Sequence, residues 1–197
     1  MTVRTNIIET RLSRRTVLAS VGIATAGLTV AQANYLRATA AQSDELQDIF
    51  NITATTERFG VTFLGEGLAS NELGNFDRPW PDDVVAVVTA ARAQEQFHLD
   101  AFEAAGGVAL VDTFTIPEEY LTSFDAFFGA VVEQETAEIA AQIAALNAFT
   151  ELERPDLVKL SFQYAAEEAE HRLLANYTLD TRPANDIAFA PALFETV

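Results

Sequence analysis

Two short patterns carry most of the chemistry available to this chain of 197 residues. Glu95 and His98 form one Glu-x-x-His pair and Glu168 and His171 form a second; the chain holds no other histidine and no cysteine. A three-residue spacing puts a carboxylate and an imidazole on one face of an α-helix, where both can reach the same cation. Without cysteine there is no thiolate metal site, disulfide or thiol nucleophile, so a metal would have to be held by carboxylate and imidazole. Glu57 precedes the first pair by 38 residues and Glu135 precedes the second by 33. A single glutamate followed by a Glu-x-x-His pair thus occurs twice in order, as expected of two similar hairpins related by a pseudo-twofold.

Such a set works only if helices present it to one interior. Four alanine-rich segments have helical apolar spacing, at about 43–70, 82–105, 123–150 and 155–178. Asp82 and Ser123 are candidate N-caps, Gly106-Gly107 closes the second segment, and Pro155 suits a first helical turn. The last two segments are joined by a few residues and should lie antiparallel. The seventeen residues 106–122 between the second and third can cross the length of a bundle. The fold class expected is all-α, a four-helix bundle with one long crossover.

The polar residues fall on the faces that should be core. The second segment runs Val84, Val88, Ala91, Glu95, His98, Phe102, and the fourth runs Leu157, Ser161, Tyr164, Glu168, His171, Ala175. The first places Glu57 between Thr53 and Val61, and the third places Glu135 between Val132 and Ile139. Burying four carboxylates together is costly unless their charge is cancelled. Two divalent cations supply that charge, and two Glu-x-x-His pairs with two single glutamates are a di-iron or di-manganese ligand set. The expected ligands are Glu57, Glu95, His98, Glu135, Glu168 and His171. Glu133 and Glu138 compete with Glu135 for the third segment. Tyr164, one turn before Glu168, is either a neighbour of the centre or core packing. Glu66, Glu103, Glu167 and Glu170 read as rim or solvated charges.

Composition divides the chain. Residues 1–40 hold five arginines and one glutamate, a charge of +4, which leaves −21 on the remainder of a chain whose net charge is −17. That acidity argues against nucleic acid and anionic membrane surfaces as partners. The basic start, the apolar run Thr16–Val30 and the small residues after it read as an export signal, with Ala31-Gln32-Ala33 and Ala38-Thr39-Ala40 as cleavage candidates. The fifteen apolar residues fall short of the ~20 that span hydrocarbon, so no stable membrane anchor is expected. An acidic surface of this kind stays soluble where salt screens self-repulsion, as in a halophile.

The segment Ser13-Arg14-Arg15-Thr16-Val17-Leu18 resembles a twin-arginine signal, with Val17 where phenylalanine is usual. The resemblance implies export of a folded protein to a periplasmic, cell-surface or extracellular location. Ala93-Gln94-Glu95-Gln96-Phe97-His98 and Glu167-Glu168-Ala169-Glu170-His171-Arg172 resemble the two Glu-x-x-His helices of the ferritin-like superfamily, in particular the ferritin-like domain proteins that include desiccation-related proteins. Thr56-Glu57 through Phe63-Leu64 is similar to the first helix, although Leu64 stands where an aromatic is common. Glu135 through Ala141 is similar to the third, and Pro183 through Phe189 to a segment often found after the bundle. The likeness covers most of residues 43–195 and is specific only in its ligand pattern.

It implies an export signal over 1–40, a ferritin-like bundle over 41–180 and a tail over 181–197 packing on it. Two iron or manganese ions would be the cofactors, with dioxygen, peroxide or ferrous iron as substrate in a stress-protective redox reaction. The alternative is a non-enzymatic envelope or stress protein whose metal only stiffens the bundle. A homo-oligomer is left open.

Overall fold

The computed structural model describes residues 44–181. The expected export signal and all but the first residue of the expected tail lie outside that range. Helices α1 (Asp44–Glu72), α2 (Asp82–Ala104), α3 (Glu118–Thr122), α4 (Phe124–Glu151) and α5 (Pro155–Thr178) account for the regular structure, and no strand occurs among the described residues. The described residues are therefore all-α, as expected. No described helix is long and apolar enough to cross a membrane.

Helix ends follow local chemistry. Gly74, with φ of 71°, turns the chain out of α1, and Gly106, with φ of 103°, does so after α2. These are left-handed conformations that glycine adopts without steric cost. The Ser123 side chain accepts a hydrogen bond from the Ala126 amide and caps α4. Pro155 opens α5, where its missing N–H is not needed. Asp82 is not a cap: Pro81 holds that position and Asp82 lies in the first turn. The one-turn helix α3 was not expected.

Cross-helix contacts give the directions. Phe50 meets Phe102 at 6.0 Å between ring centroids, and Arg92 Nε donates to the Val61 carbonyl, so α1 and α2 are antiparallel. Ser161 donates to the Gln142 carbonyl while Phe149 and Leu157 share a core, which makes α4 and α5 antiparallel as well. Phe63 stacks on Phe127 at 4.7 Å and Phe102 meets Tyr164 at 5.5 Å, pairing α1 with α4 and α2 with α5. Consequently α2 and α4 point the same way, and the chain must return along the molecule between them.

It returns along α1. The Val108 amide donates to Asn51 Oδ1, the Leu110 amide donates to Thr55 Oγ1, and Asp112 pairs with Arg58. Phe114 then packs edge-on against Phe59, and Tyr120 against Phe63. Each contact lies farther along both segments, so side chains of α1 take up polar groups that a long irregular link would otherwise leave unpaired.

The interior has three zones. At one end Leu46, Phe50, Leu99, Phe102, Phe149, Leu157 and Leu160 form an apolar cluster drawn from all four long helices. At the other, Phe63, Phe76, Trp80, Phe124, Phe127 and Phe128 form an aromatic cluster, with Phe76 and Trp80 supplied by the α1–α2 loop. Between them lies a polar zone.

Candidate metal centre

All six expected ligands are buried in that middle zone. Glu57, Glu95, His98 and Glu168 are 0% exposed, Glu135 is 1% and His171 is 6%. They come from α1, α2, α4 and α5, one side chain or pair from each. The faces that carry them on α2 and α5 are those the periodicity indicated. On α4 the middle of the seam is rotated: Val131 and Glu138 are buried, whereas Val132 and Ile139 are only partly so. A straight helix advances 3.6 residues per turn, so a face read in steps of three and four can be displaced by one position in mid-helix.

Burial narrows the candidates on α4 from three to two. Glu133 is exposed, while Glu135 and Glu138 are both buried. The interior therefore contains five carboxylates from residues 57, 95, 135, 138 and 168. Gln134, also buried, donates from Nε2 to Glu138 Oε1 at 3.3 Å. Of the glutamates read as rim charges, Glu66, Glu103 and Glu170 are exposed. Glu167 departs from that reading, because its Oε2 turns inward to lie 3.2 Å from His98 Nε2.

Two overlapping groups of potential ligand atoms result. Glu95, Glu135, Glu168 and His171 offer atoms that all lie within 4.8 Å of one another, as do Glu57, Glu95 and His98. Glu95 belongs to both. Its position depends on Gly60, where a Cβ would come within 2.4 Å of Glu95 Oε2. The bare turn of α1 is what admits the carboxylate. His171 Nδ1 lies 3.2 Å from Glu168, 3.5 Å from Glu95 and 3.6 Å from Glu135, and His98 Nδ1 lies 3.4 Å from Glu57.

The electrostatics are those of crowded, dehydrated acids. Burial is the largest influence holding the carboxyls of Glu57, Glu95, Glu138 and Glu168 well above the ordinary range, and repulsion from neighbouring glutamates adds to it. Burial pushes Glu135 up too, but contact with His171 outweighs it and leaves that carboxyl below its usual value. His171 is correspondingly raised: burial alone would lower it, and Glu135 overrides burial. Burial brings His98 down to about 4, although Glu167 beside it acts in the opposite direction. Burial raises the Tyr164 phenol, with Glu57 and Glu167 adding to the effect. The tyrosine packs against Phe102 and stacks loosely on His98 at 6.3 Å.

Several of these groups lack the hydrogen bonds that burial normally demands. Both oxygens of Glu57 and Glu95, Oε2 of Glu135, Oε1 of Glu168 and both nitrogens of His98 are buried without one. Buried polar atoms are satisfied in the great majority of cases, so a concentration of unsatisfied acceptors in one place calls for an explanation. The donor set, hard oxygens with imidazole nitrogen, is compatible with divalent cations.

A scan against protein-family models found no match to this chain, and neither did searches of curated proteins and of solved structures.

Proposed function

We propose that the chain is an exported ferritin-like protein whose four-helix bundle holds a dinuclear iron or manganese centre for redox chemistry with dioxygen, peroxide or ferrous iron. The observation that carries this reading is the convergence of six side chains from four helices on one water-poor zone, with unsatisfied oxygens of Glu57, Glu95, Glu135 and Glu168. The antiparallel hairpins and the return of the chain along α1 support the ferritin-like part. The arginine pair and apolar run before residue 41 support export.

In this reading Glu57, Glu95 and His98 hold one ion, Glu95, Glu135, Glu168 and His171 hold the other, and Glu95 serves both. Bound iron or manganese supplies one-electron redox capacity. The protein supplies the rest: the carboxylates offset cationic charge, the two apolar clusters exclude bulk water, and the helices limit how far the ligands can separate. The open groove lined by Val61, Gly65, Leu68, Thr89 and Arg92 includes none of the ligands. A centre closed in this way suits a substrate of two or three atoms, or a single ion.

The same closure favours a second reading, in which metal only stiffens the fold by binding the native state. Anaerobic loading with ferrous iron followed by metal analysis tests both. The wild-type protein is expected to bind two ions per chain, and replacing His98 and His171 together by alanine to abolish stoichiometric binding. Two ions retained in that double variant would overturn the assignment. Admitting oxygen or peroxide then separates the readings: turnover marks the enzyme, and metal-dependent melting without oxidation marks the structural role.

A further inference from the structure

The side of α5 turned away from the interior is not that of a fully solvated helix. Tyr164, Glu168, His171 and Ala175 are buried on its inner side. Half a turn away, Phe162 is 69% exposed, Leu173 42% and Tyr177 70%, and Ala166 among them is exposed as well. Steps of four, seven and four residues separate the four positions, so they line up as one apolar stripe along the outside of the helix. Lys159 prolongs the stripe at one end and Asp180 at the other, and both are exposed. Asp180 lies just past α5, where its amide donates to the Tyr177 carbonyl and stays with the last turn.

The stripe is palindromic about the point between Ala169 and Glu170. Reversed onto a second copy, Phe162 falls opposite Tyr177, Ala166 opposite Leu173 and Lys159 opposite Asp180, and each pairing occurs twice. A two-fold contact demands this property, because residue i must meet residue j wherever j meets i. The sizes match, since the small Ala166 receives Leu173. The charges match too, and Lys159 is the sole lysine in a chain of net charge −17. A parallel pair would instead set Lys159 against Lys159 and Asp180 against Asp180. An unrelated partner would have no need of the symmetry.

We infer that the outer face of α5 is the contact surface of a homodimer, packed antiparallel on a second copy of this chain about an axis beside Ala169 and Glu170. The stripe from Lys159 to Asp180 is about 32 Å long at the helical rise per residue. A single helix pair of that length belongs at the small end of specific interfaces, below about 1,200 Å². The two exposed Glu170 side chains flank the axis and weaken the pair further. The dimer is therefore reversible, with a dissociation constant on the order of 10 μM. Neither the pairing nor its test depends on the metal centre.

Sedimentation equilibrium of the full-length protein reads the association. The wild type is expected to dimerise reversibly. Leu173→Glu puts two charges into the contact and should weaken the dimer by more than about 30-fold. Leu73→Glu, at an apolar residue 76% exposed beyond the end of α1, should leave it within about twofold. Because the chain has no cysteine, introduced thiols report the register. An oxidised mixture of Ala166→Cys and Leu173→Cys proteins should give a mixed disulfide dimer. Either variant alone holds its two sulfurs about two turns, ~10 Å, apart along the pair and should not link. A chain that stays monomeric at about 0.5 mM would overturn the dimer, whether the stripe then meets solvent or another segment of the chain. A dimer that Leu173→Glu leaves intact would overturn it as well, and so would cysteine variants that link as readily alone as mixed.

Discussion

Phe127 and Glu57 are both fully buried, yet their surroundings are opposite. Phe127 meets the rings of Phe63, Trp80, Phe128 and Phe76 at centroid distances from 4.7 to 5.8 Å, and its edge fills the space above Gly67. Every such contact is favourable in the protein alone. Glu57, on the same helix as Phe63, has neither oxygen hydrogen-bonded and lies among like-charged neighbours. The aromatic zone packs favourably in the protein alone, with Trp80 Nε1 left without a hydrogen bond, whereas the polar zone gathers carboxyls that burial and mutual repulsion keep protonated. Packing at the ends therefore holds together a middle that would otherwise repel itself.

Breaking the aromatic end should have the largest effect. Phe127→Ala is expected to cost about 3–5 kcal/mol of unfolding free energy in chemical denaturation, the range for truncating a buried phenylalanine. A loss below about 1 kcal/mol would show that the zone does not carry the fold.

A change of pH acts on the middle zone. Glu57, Glu95, Glu138 and Glu168 hold protons more tightly folded than unfolded, so their stabilising effect is lost as pH rises through the raised values. His171, also raised, acts in the same direction above its ordinary 6.5. His98, held near 4, and Glu135, held low, oppose this only below 6.5 and 4.5 respectively. The metal-free melting temperature should thus fall as pH rises above about 6.5. Saturating metal should flatten or reverse that slope, because ligation requires the deprotonated groups. A flat metal-free profile would mean that the middle zone does not retain protons.

A smaller effect is expected where α1 admits Glu95. Gly60→Ala gains up to about 1 kcal/mol of helix propensity but places a Cβ against the carboxylate, an overpacking cost of about 1–3 kcal/mol. The net loss of stability should be slight, and the loss of metal affinity should exceed it. Affinity equal to wild type in that variant would show that Glu95 can serve from another position.

Much of this arrangement was legible in the sequence, for identifiable reasons. Gly106, Ser123 and Pro155 mark helix ends through backbone chemistry that tertiary context did not override. Glu95, His98, Glu168 and His171 stood out because polar residues interrupted otherwise apolar faces. The rotation of the α4 seam toward Val131 and Glu138 was harder to read, since alanines on several faces leave the helix without a sharp apolar stripe. Glu167 and Gln94 could not be placed by spacing within one helix, because their partners lie on the helix opposite. The one-turn helix α3 likewise depends on docking: Tyr120 packs on Phe63, and the Leu121 carbonyl accepts from Ser70.

The link that lies along α1 also bears on the order of assembly. With the link in place, α1 and α2 form one unit whose contacts include Asn51 with Val108, 57 residues apart, and α4 and α5 form another across a turn of three residues. The short α4–α5 turn makes that hairpin the cheaper of the two to close. Gln94 and His171, 77 residues apart, can meet only when the two units dock. Glu57 and Glu95 already meet within the first unit, and Glu135, Glu138 and Glu168 within the second, so docking is the step that brings these two sets of carboxylates together. The protons that these buried carboxyls hold in the folded state must be in place as the units close.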